Sequence, residues 1–518
     1  MNKGNFYITT AISYTNSVPH IGHAYEAIAA DVMARFKRFD GYEVYFLTGT
    51  DDHGQKVDQS AKKAGKTPKQ FVDELLPAFK DDMCDKLNVS YNRFIRTTDA
   101  DHEETAKKLW IKMEENGDIY LDKYSGWYSV RDEAFYAEDE VETLPNGTKR
   151  SKESKTEVEW MEEESYFFRL SNYTDRLLKL YSDHPEFIQP DSRRNEIVSF
   201  VKQGLKDFSI SRTSFDWGVP VPGNDKHIMY VWVDALANYI SALGYPEDKN
   251  GMMKKFWPCN VHLIGKDIIR FHTVFWPAFL LSAGVELPRQ VFAHGFLLAN
   301  GEKMSKSLGN GMVPSDLINK YGVEATRYVL LREGTFGQDV DLSYQGMTAR
   351  INADLANNFG NLAQRTLSMI NKNCDGKLPH AGELQEVDKE LLSKVHKEML
   401  HSVRSDFDKL QFGRAQEKIM AVARDANAYI DEQSPWTLKK TDPERMNTVL
   451  YVLAEVIRCL GIIMQPFTPE SMDKLLSQMN VAKNERDFIF IDASKALKAG
   501  VELPKPEGVF PRIEEEKA

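Results

Sequence analysis

The sequence contains little cysteine, and the cysteines it has are scattered. Among 518 residues there are four, Cys84, Cys259, Cys374 and Cys459, and no two of them stand in a C-x-x-C spacing. This pattern excludes both a disulfide framework and a zinc site made of paired thiolates. We therefore expect four ordinary thiols.

Long apolar runs and an N-terminal signal are also missing. Apolar residues make up 42% of the chain, but no uninterrupted run approaches the roughly 18 residues needed to cross a bilayer. Residues 1–5 lead directly into a strand-like stretch and leave no room for a signal peptide. We therefore expect no membrane role and a cytoplasmic protein.

Positive charge is not in excess either. The chain has 66 Lys and Arg against 77 Asp and Glu, which gives a formal net charge of −11. A protein that binds nucleic acid through its overall charge would be basic, so this class is excluded. A nucleic-acid partner would have to be recognised by a local surface.

What is present is a strand, a helix and a strand at the start of the chain. Residues 6–13 and 44–51 are short apolar stretches of the kind that form buried strands. Between them, apolar residues recur at spacings of three and four, and Asp40 and Gly41 supply a stop signal, which predicts a helix. The recurring residues are Ile21, Tyr25, Ile28, Val32 and Phe36. Such a βαβ unit is the start of an α/β, Rossmann-like doubly wound parallel sheet.

The same alternation resumes late in the chain, so we expect the sheet to be split by an insertion. Strand-like stretches return at 260–265 and 291–294, after a polar region that contains a turn at residues 144–147. After about residue 348 the apolar spacing is helical throughout, which predicts an all-α bundle. The predicted divisions are 1–115 and 226–294 for the two halves of the sheet domain, 116–225 for an inserted connective domain, 295–347 for a connector, and 348–518 for the helical bundle and C-terminal tail.

Two short polar stretches have the composition of phosphate-binding turns. In the first, His20 and His23 stand three residues apart at a predicted helix start, where backbone N–H groups and the helix dipole favour an anion. In the second, Lys303 and Lys306 flank Ser305. Each stretch alone has an ordinary explanation, because two histidines can cap a helix and a Lys- and Ser-rich turn is usually solvated.

Together, and in this order, PHIGH at residues 19–23 and KMSKS at residues 303–307 resemble the HIGH and KMSKS signatures of the class I aminoacyl-tRNA synthetases. Further segments narrow the resemblance to the methionyl-tRNA synthetases. The resemblance implies that L-methionine and ATP with Mg²⁺ give methionyl-adenylate, and that methionine then passes to the 3′-terminal adenosine of tRNA(Met), including initiator tRNA. It implies the catalytic residues His20, His23, Lys303 and Lys306. It implies an ATP site of His20, Gly22, His23, Gly265, Asp267, Lys303, Ser305 and Lys306.

A pocket for methionine needs a buried anion for the ammonium group and polarizable walls for the thioether. Asp51, at the end of a predicted strand, matches the family's ammonium-binding carboxylate, although a lone aspartate is more often a helix cap. The resemblance implies a pocket of Ala11, Ile12, Tyr14, Asp51, Trp232, Ala235, Leu236, Tyr239, Ile268 and His272. A hydrogen bond from Tyr14 or His272 to the sulfur would select against leucine, since shape alone discriminates a methylene by only about 1–3 kcal/mol.

The zinc knuckles of the family are not matched. Many relatives carry C-x-x-C pairs in the insertion, but here Ser129 and Asp132 stand at the positions of the first pair, and no cysteine occurs from residue 85 to 258. Serine is a poor zinc ligand, and one aspartate cannot hold the metal. We therefore predict no structural zinc and no metal-binding residues.

The helical region contains segments that resemble those with which the family reads the anticodon. The residues that match are Asn361, Arg365 and Trp436. Unpaired RNA bases are read by stacking on aromatic rings and by hydrogen bonds to their edges, which suits this set. Considered alone, Asn361 and Arg365 would be an ordinary i,i+4 surface pair, and Trp436 a residue at a helix entry.

Relatives with an additional C-terminal tRNA-binding domain are longer and dimeric, so we expect a monomer.

Other functions remain possible from the sequence. A non-catalytic tRNA-binding paralogue would be expected to have lost His20, His23, Lys306 or Asp51, and all of these are present. Another nucleotidyltransferase with a HIGH-like motif would not need the helical bundle. A synthetase for a different amino acid is the nearest alternative, and the set of Asp51, Trp232 and His272 in the resembling pocket opposes it.

Overall fold

The chain begins with the predicted βαβ unit. The computed structural model describes residues 3–132, 134–299, 301–304 and 311–514. Its first elements are β1 (Asn5–Thr10), β2 (Ser13–Tyr14), α1 (Ile21–Phe39), β3 (Glu43–Asp51), α2 (Gln55–Lys63), α3 (Pro68–Phe79), β4 (Arg93–Arg96) and α4 (Ala100–Glu115). β1 and β3 pair in parallel, with Ile8 opposite Phe46.

Helix α1 forms where the apolar spacing predicted it. The five residues that recur at spacings of three and four, Ile21, Tyr25, Ile28, Val32 and Phe36, are all buried. At the end of the helix, Asp40 is the C-cap residue, and Gly41 adopts a φ of 93°, which favours glycine. The helix is therefore specified by its own sequence at both its core face and its C-terminus.

The next region holds a long antiparallel pair and a small polar hairpin. Its elements are β5 (Ile119–Ser129), β6 (Ala134–Tyr136), β7 (Val141–Thr143), β8 (Lys149–Ser151), β9 (Glu159–Phe168), α5 (Thr174–Asp183), β10 (Ile188–Gln189), α6 (Asp191–Lys202), β11 (Phe208–Ser209), β12 (Ser211–Arg212), β13 (Pro220–Val221) and β14 (Asn224–Met229). β5 pairs with β9 along most of its length. β7 and β8 form the hairpin at the predicted turn.

The chain then returns to the parallel sheet. The elements are α7 (Val231–Leu236), α8 (Asn238–Ser241), α9 (Met252–Phe256), β15 (Val261–Gly265), α10 (Trp276–Ser282), β16 (Val291–His294), β17 (Leu297–Ala299), β18 (Glu302–Lys303), α11 (Pro314–Tyr321), α12 (Val323–Leu330) and β19 (Val340–Asp341). The sheet runs in the order β10, β16, β15, β1, β3, β2, with β4 also on β3, and its pairings are parallel. The predicted doubly wound parallel sheet is confirmed.

One strand of this sheet lies inside the segment that we expected only to interrupt it. β10 pairs in parallel with β16, although it belongs to residues 116–225. The sequence does not reveal β10 because a strand of two residues carries no alternation pattern. The domain limits given above stay a prediction, and this segment contributes to the sheet as well as to the inserted region.

The remainder of the chain is helical, as its spacing predicted. The helices are α13 (Tyr344–Ile351), α14 (Asn361–Asn373), α15 (Glu386–Ser393), α16 (Met399–Phe407), α17 (Phe412–Gln433), α18 (Pro435–Thr441), α19 (Pro443–Met464) and α20 (Pro469–Gln478). A π-helical segment, Asn352–Gly360, joins α13 to α14. Pro435 and Pro469 begin helices rather than only ending them, because proline fits the first helical turn.

Helix α19 is longer and more apolar than the count of uninterrupted apolar runs suggested. Within the described part of the chain it alone has the length and composition to cross a membrane, with a mean hydropathy of 1.7 over its most apolar window. Of that window, 89% is buried inside the protein. The helix is therefore the central helix of the bundle, surrounded by its neighbours.

A buried ion pair joins α1 to the bundle. Arg327 of α12 has no exposed surface and donates to Asp31 Oδ2 of α1 at 2.6 Å. Its other N–H groups donate to the carbonyls of Leu87, Pro466 and Phe467. A buried pair is tolerated only when such additional bonds satisfy both ions. The first helix is thus fixed against the turn between α19 and α20.

Candidate active site

The carboxyl ends of β1, β3 and β15 open onto one cavity of about 1530 Å³. This is the edge at which open α/β sheets bind their ligands. The cavity is lined by the predicted ATP residues His20, Gly22, His23, Gly265 and Asp267. It is also lined by Ala11, Ile12, Tyr14, Asp51, Trp232, Ala235, Leu236, Tyr239, Ile268 and His272, the predicted methionine residues. The fold therefore brings both sets to one place.

The two histidines stack on each other at the N-terminus of α1. Their ring centroids lie 3.8 Å apart, with 25° between the planes. The N–H of Gly22 donates to Nδ1 of His20 at 3.0 Å, and the N–H of His20 donates to Nδ1 of His23 at 3.1 Å. Because both Nδ1 atoms accept, each neutral ring carries its proton on Nε2. The pair caps the helix and at the same time provides two N–H donors.

The Nε2–H donor of His23 belongs to an uncharged ring. Withdrawal of its ring from water, together with the nearby His20 and His294, lowers the pKa of His23 well below the usual range. Gly22 makes the stacking possible, since a Cβ there would lie 2.9 Å from Cε1 of His20. The glycine therefore makes room for a side chain of the site, a role that the motif alone did not reveal.

The second signature is described only at its start. Lys303 lies in β18, which pairs with β17, and Met304 lines the cavity. Ser305 and Lys306 lie outside the described residues. The roles of Lys303, Ser305 and Lys306 therefore stay predictions.

The turn after β15 presents one exposed carboxylate to the cavity. Asp267 stands in a short 3₁₀ turn two residues beyond Gly265, and a Cβ at Gly265 would lie 2.7 Å from its Oδ1. The glycine thus gives the carboxylate room to fold back over the strand end. The neighbouring Lys266 is paired with Asp339 at 2.7 Å. Asp267 can accept hydrogen bonds from hydroxyl groups of a bound nucleotide.

Asp51 is held by strand pairing and does not cap a helix. It is the last residue of β3 and lies opposite Tyr14 of β2, and its backbone carbonyl accepts the N–H of Thr15 at 3.1 Å. The following helix begins at Gln55, with Gly54 as its N-cap residue. The side chain of Asp51 is 8% exposed and lies at the cavity wall. A carboxylate in this position can bind a cationic group of a ligand.

Aromatic rings form part of the cavity wall. Trp232 stacks on Phe271, with ring centroids 3.8 Å apart and planes within 6° of parallel. His272 meets Trp232 edge-on at 6.0 Å. Phe271 was not among the predicted pocket residues. Its place beside His272 in the sequence was the signal that could have identified it. The stacked pair gives the cavity a flat, polarizable surface.

Of the two alternative donors to a thioether, Tyr14 and His272, His272 already has partners for both ring nitrogens. Its Nδ1 lies 3.0 Å from the carbonyl oxygen of Ile268, which can only accept, so Nδ1 carries the proton. Its Nε2 lies 2.7 Å from the hydroxyl of Tyr239 and accepts from it. Burial lowers the pKa of His272 to about 4, so the ring is neutral at physiological pH. Both ring nitrogens are engaged, and Tyr14 remains the predicted donor.

The sequence reasoning missed a buried pair at the cavity wall. Glu26 of α1 accepts the N–H of Ala11 at 2.8 Å through Oε1, and its Oε2 lies 2.9 Å from Nε2 of His294. Burial opposes a charge on His294, but the hydrogen bond and charge of Glu26 raise the pKa of this histidine. The pair fixes the backbone of the first strand end. The sequence signal that could have placed Glu26 at the site is its position one helical turn beyond His23, on the same face of α1.

The positions of the missing zinc knuckle are occupied by a hydrogen-bonded cluster. Oδ2 of Asp132 accepts from the hydroxyls of Tyr136 at 2.9 Å, Ser154 at 2.5 Å and Thr156. Ser129 bonds to Thr156 at 2.9 Å. Although burial opposes ionisation, these donors lower the pKa of Asp132. The cluster holds one carboxylate and no thiolate, and the carboxylate is already engaged by hydroxyls, so its donors do not fit zinc.

The predicted anticodon residues lie together on the surface of the bundle. The guanidinium of Arg365 stands over the ring of Trp436 at 5.3 Å and pairs with Asp431 at 2.7 Å. Asn361 is exposed one helical turn before Arg365. Trp436 is 45% exposed, which is unusual for so large an apolar ring. The surface therefore offers a ring face, a cation and an amide to an external partner.

The fold and the site define a class of protein. A parallel doubly wound sheet, a histidine pair at the start of its first helix and a second signature that begins at the same cavity are the arrangement of a class I aminoacyl-tRNA synthetase. Family models agree with this class. The model of tRNA synthetases class I (M) matches residues 6–157 and 144–367, and that of the anticodon binding domain of methionyl tRNA ligase matches residues 378–518.

Similar proteins extend over the whole chain. The methionine–tRNA ligase of Brucella suis biovar 1 (strain 1330) is 55% identical over 515 residues and covers 99% of both chains. That of Rhizobium meliloti (strain 1021) is 54% identical over 507 residues and covers 98% of both. The structure of Mycobacterium tuberculosis methionyl-tRNA synthetase in complex with methionyl-adenylate matches with a TM-score of 0.95 at 52% identity, over 98% of this chain and 100% of that chain. The chain belongs to the methionyl-tRNA synthetases.

Proposed function

We propose that the cavity binds methionine and ATP side by side, forms methionyl-adenylate, and then transfers the methionyl group to the terminal adenosine of tRNA(Met). The enzyme is a methionine–tRNA ligase, and the proposal concerns which of its residues do this work. The observation that carries it is the convergence of the histidine pair, Asp51 and the aromatic wall on one cavity. Activation and transfer can therefore share a single site.

Methionine is bound at the end of the cavity formed by β3 and α7. The buried carboxylate of Asp51 binds the ammonium group, while Trp232 and Phe271 contact the thioether through their flat faces. The hydroxyl of Tyr14 donates to the sulfur. This donor favours methionine over leucine, because a leucine side chain offers no acceptor for the hydroxyl.

ATP is bound at the histidine end. An oxygen of the methionine carboxylate attacks the α-phosphorus, the bond to the bridging oxygen breaks, and pyrophosphate leaves with that electron pair. The Nε2–H groups of His20 and His23 donate to the phosphate oxygens, and Lys303 and Lys306 neutralise the charge that develops. In the second step a hydroxyl of the terminal adenosine attacks the methionyl carbonyl, and AMP leaves.

Magnesium accompanies ATP in this proposal. The ion neutralises negative charge on the phosphates when it is bound with the nucleotide. Asp267 is an exposed carboxylate at the cavity wall, whereas Glu26 is already engaged by Ala11 and His294. An exposed carboxylate such as that of Asp267 fits an ion that is held mainly by substrate phosphates and water.

We propose further that the inserted region binds no zinc and that the enzyme acts as a monomer in the cytoplasm. The hydroxyl donors around Asp132 support the first point, because they already stabilise the charge that a metal would otherwise neutralise. Metal analysis of the purified enzyme and sedimentation analysis test the first two points directly. One equivalent of zinc that survives dialysis would contradict the first.

The surface of Asn361, Arg365 and Trp436 reads the anticodon in this proposal. Replacing Trp436 by alanine removes a stacking surface worth about 1–3 kcal/mol per base, so kcat/KM for tRNA charging should fall about 10- to 100-fold. Adenylate formation should stay within about twofold, because the tryptophan is remote from the cavity. Trp160→Ala is the matched control, since Trp160 is similarly exposed, at 50%, in the inserted region. Equal losses of charging and adenylate formation in Trp436→Ala would make this residue structural.

Methionine-dependent exchange of labelled pyrophosphate into ATP tests the function as a whole. The exchange is measured without tRNA against the other amino acids, and it should occur with methionine alone. Charging of tRNA(Met) is then measured with the same sample. No exchange from a folded sample that still binds tRNA(Met) would favour the non-catalytic tRNA-binding function.

A further inference from the structure

A buried carboxylate lies between two buried histidines outside the cavity. Oδ2 of Asp234 lies 2.7 Å from Nδ1 of His53, and its Oδ1 lies 2.7 Å from Nε2 of His102. The exposed fractions are 1% for Asp234, 3% for His53 and 0% for His102. A carboxylate can only accept, so both ring nitrogens donate to it. None of the reaction steps above uses these three residues.

The cluster joins two walls of the methionine site. His53 follows Asp51 by two residues, beyond the end of β3. Asp234 lies on α7 between Trp232 and Ala235, which both line the cavity. The bond between His53 and Asp234 therefore links the end of β3, which carries Asp51, directly to α7, which carries Trp232.

The other contacts of the cluster anchor it to the scaffold. His102 lies on α4, and its Nδ1 is 3.1 Å from the hydroxyl of Ser241 on α8. Asp52, between Asp51 and His53, lies 2.7 Å from Nε of Arg96 on β4. Of Asp51, Asp52 and His53, only Asp51 lines the cavity. Asp52 and His53 bond the turn to two different elements, β4 and α7.

The charges in the cluster favour a strong link. Burial opposes a charge on Asp234, yet His53 and His102 lower the pKa of this carboxyl to about 2, so it is ionised. Burial likewise opposes a charge on His53, but Asp234, with smaller contributions from Asp52 and Glu103, raises the pKa of this histidine. Hydrogen bonds in which one partner is ionised, as Asp234 is here, are about twice as strong as neutral ones.

We propose that His53 and Asp234 are positioning residues for methionine, and that their bond sets the separation between Asp51 and the wall formed by Trp232. This inference rests on the proposed methionine site. The link bears on one substrate because it joins the end of β3 to α7, whereas the histidine pair stands at the start of α1 and Gly265 ends β15. A small change in this separation misplaces the methionine carboxylate, while the ATP site keeps its geometry.

The test is a graded series of variants. Asp234→Asn can keep both contacts, because the amide oxygen accepts from His53 and the amide nitrogen donates to the other tautomer of His102. His53→Gln breaks only the link between the two walls, and Asp234→Ala removes the whole cluster. We expect the methionine KM to rise about threefold, tenfold and a hundredfold in this order, since misplacement by about 1 Å can cost a factor of about 100. The ATP KM and the melting temperature of His53→Gln should stay close to those of the wild type.

A residue with only a structural role would produce a different result. A lower kcat, a higher KM for both methionine and ATP, and a lower melting temperature would together overturn the proposal. His184→Gln is the matched control, because His184 is an exposed histidine. If Asp234→Ala does not fold, His53→Gln decides: methionine binding within twofold of the wild type, measured by titration of tryptophan fluorescence, would refute the link.

Asp51→Asn separates this inference from the proposed site. If Asp51→Asn weakens methionine binding and His53→Gln does not, the pocket assignment holds and the positioning role fails. If Asp51→Asn leaves methionine binding unchanged, the pocket assignment itself fails. The two failures are thus distinguished by one pair of variants in the same binding assay.

Discussion

Asp51→Asn should weaken methionine binding about 100-fold and leave ATP binding within about twofold. The carboxylate is buried at the cavity wall, and truncating one partner of a buried charge pair costs about 2–5 kcal/mol. Asparagine has nearly the same shape, so the loss reports the charge rather than the packing. Methionine binding is measured by equilibrium dialysis, and the effect on catalysis by pyrophosphate exchange at saturating ATP.

The position of Asp51 makes this substitution informative. Its backbone is held by pairing with β2 and by Thr15, so the amide variant keeps the strand end in place. Asp82→Asn serves as the matched control, because Asp82 is an exposed carboxylate paired with Lys86. A methionine affinity within threefold of the wild type would exclude Asp51 as the site of the ammonium group.

His23→Asn should lower kcat for adenylate formation about 100- to 1000-fold, the usual effect of removing one donor from a developing oxyanion. The asparagine side chain places an acceptor where Nδ1 stands, so it can still accept from the N–H of His20. It cannot replace the Nε2–H group. Methionine binding should stay within about twofold, because the proposed ammonium ligand Asp51 stands on β3 and not on α1, where His23 lies. Single-turnover formation of methionyl-adenylate is the measurement.

His23→Gln is the complementary variant. Its amide nitrogen reaches about as far as Nε2, so it keeps a donor for the phosphates and gives up the capping bond. We expect it to be at least tenfold faster than His23→Asn if phosphate donation is the function, since one lost cap costs only about 1 kcal/mol. The reverse order of rates would show that His23 acts chiefly as the cap of α1.

The first half of the sheet could be predicted because its signals are local. The residues of α1 repeat at helical spacing, and the two flanking strands are apolar and bounded by stop signals. The same holds for the long helices of the bundle. β10 could not be predicted, because its two residues become a strand only through pairing with β16. The structure also shows that α19 is a core helix, a point that the count of apolar runs did not address.

The candidate site was predicted mainly through motifs. His20 and His23 stand at a helix start and Asp51 at a strand end, and these positions follow from sequence patterns alone. Their tautomers do not, because these depend on which backbone groups lie within bonding distance. The same limit explains why the sequence left Tyr14 and His272 as alternative donors, whereas in the fold both nitrogens of His272 are engaged by Ile268 and Tyr239. The sequence determines which side chain stands at each position. Only the fold decides which hydrogen-bond partners it meets and therefore which of its nitrogens carries the proton.

The sequence by itself determined the class of enzyme, the order of its signatures and most of its helices. These features depend on neighbouring residues or on motifs that recur in one order. The tertiary structure decided which of these residues meet, since Asp234 and His53 are 181 positions apart and their bond joins two pocket walls. It also decided the protonation of the buried histidines, because desolvation and partner charge exist only once the chain is folded. Contacts between distant segments carry no local pattern, and for that reason only the fold reveals them.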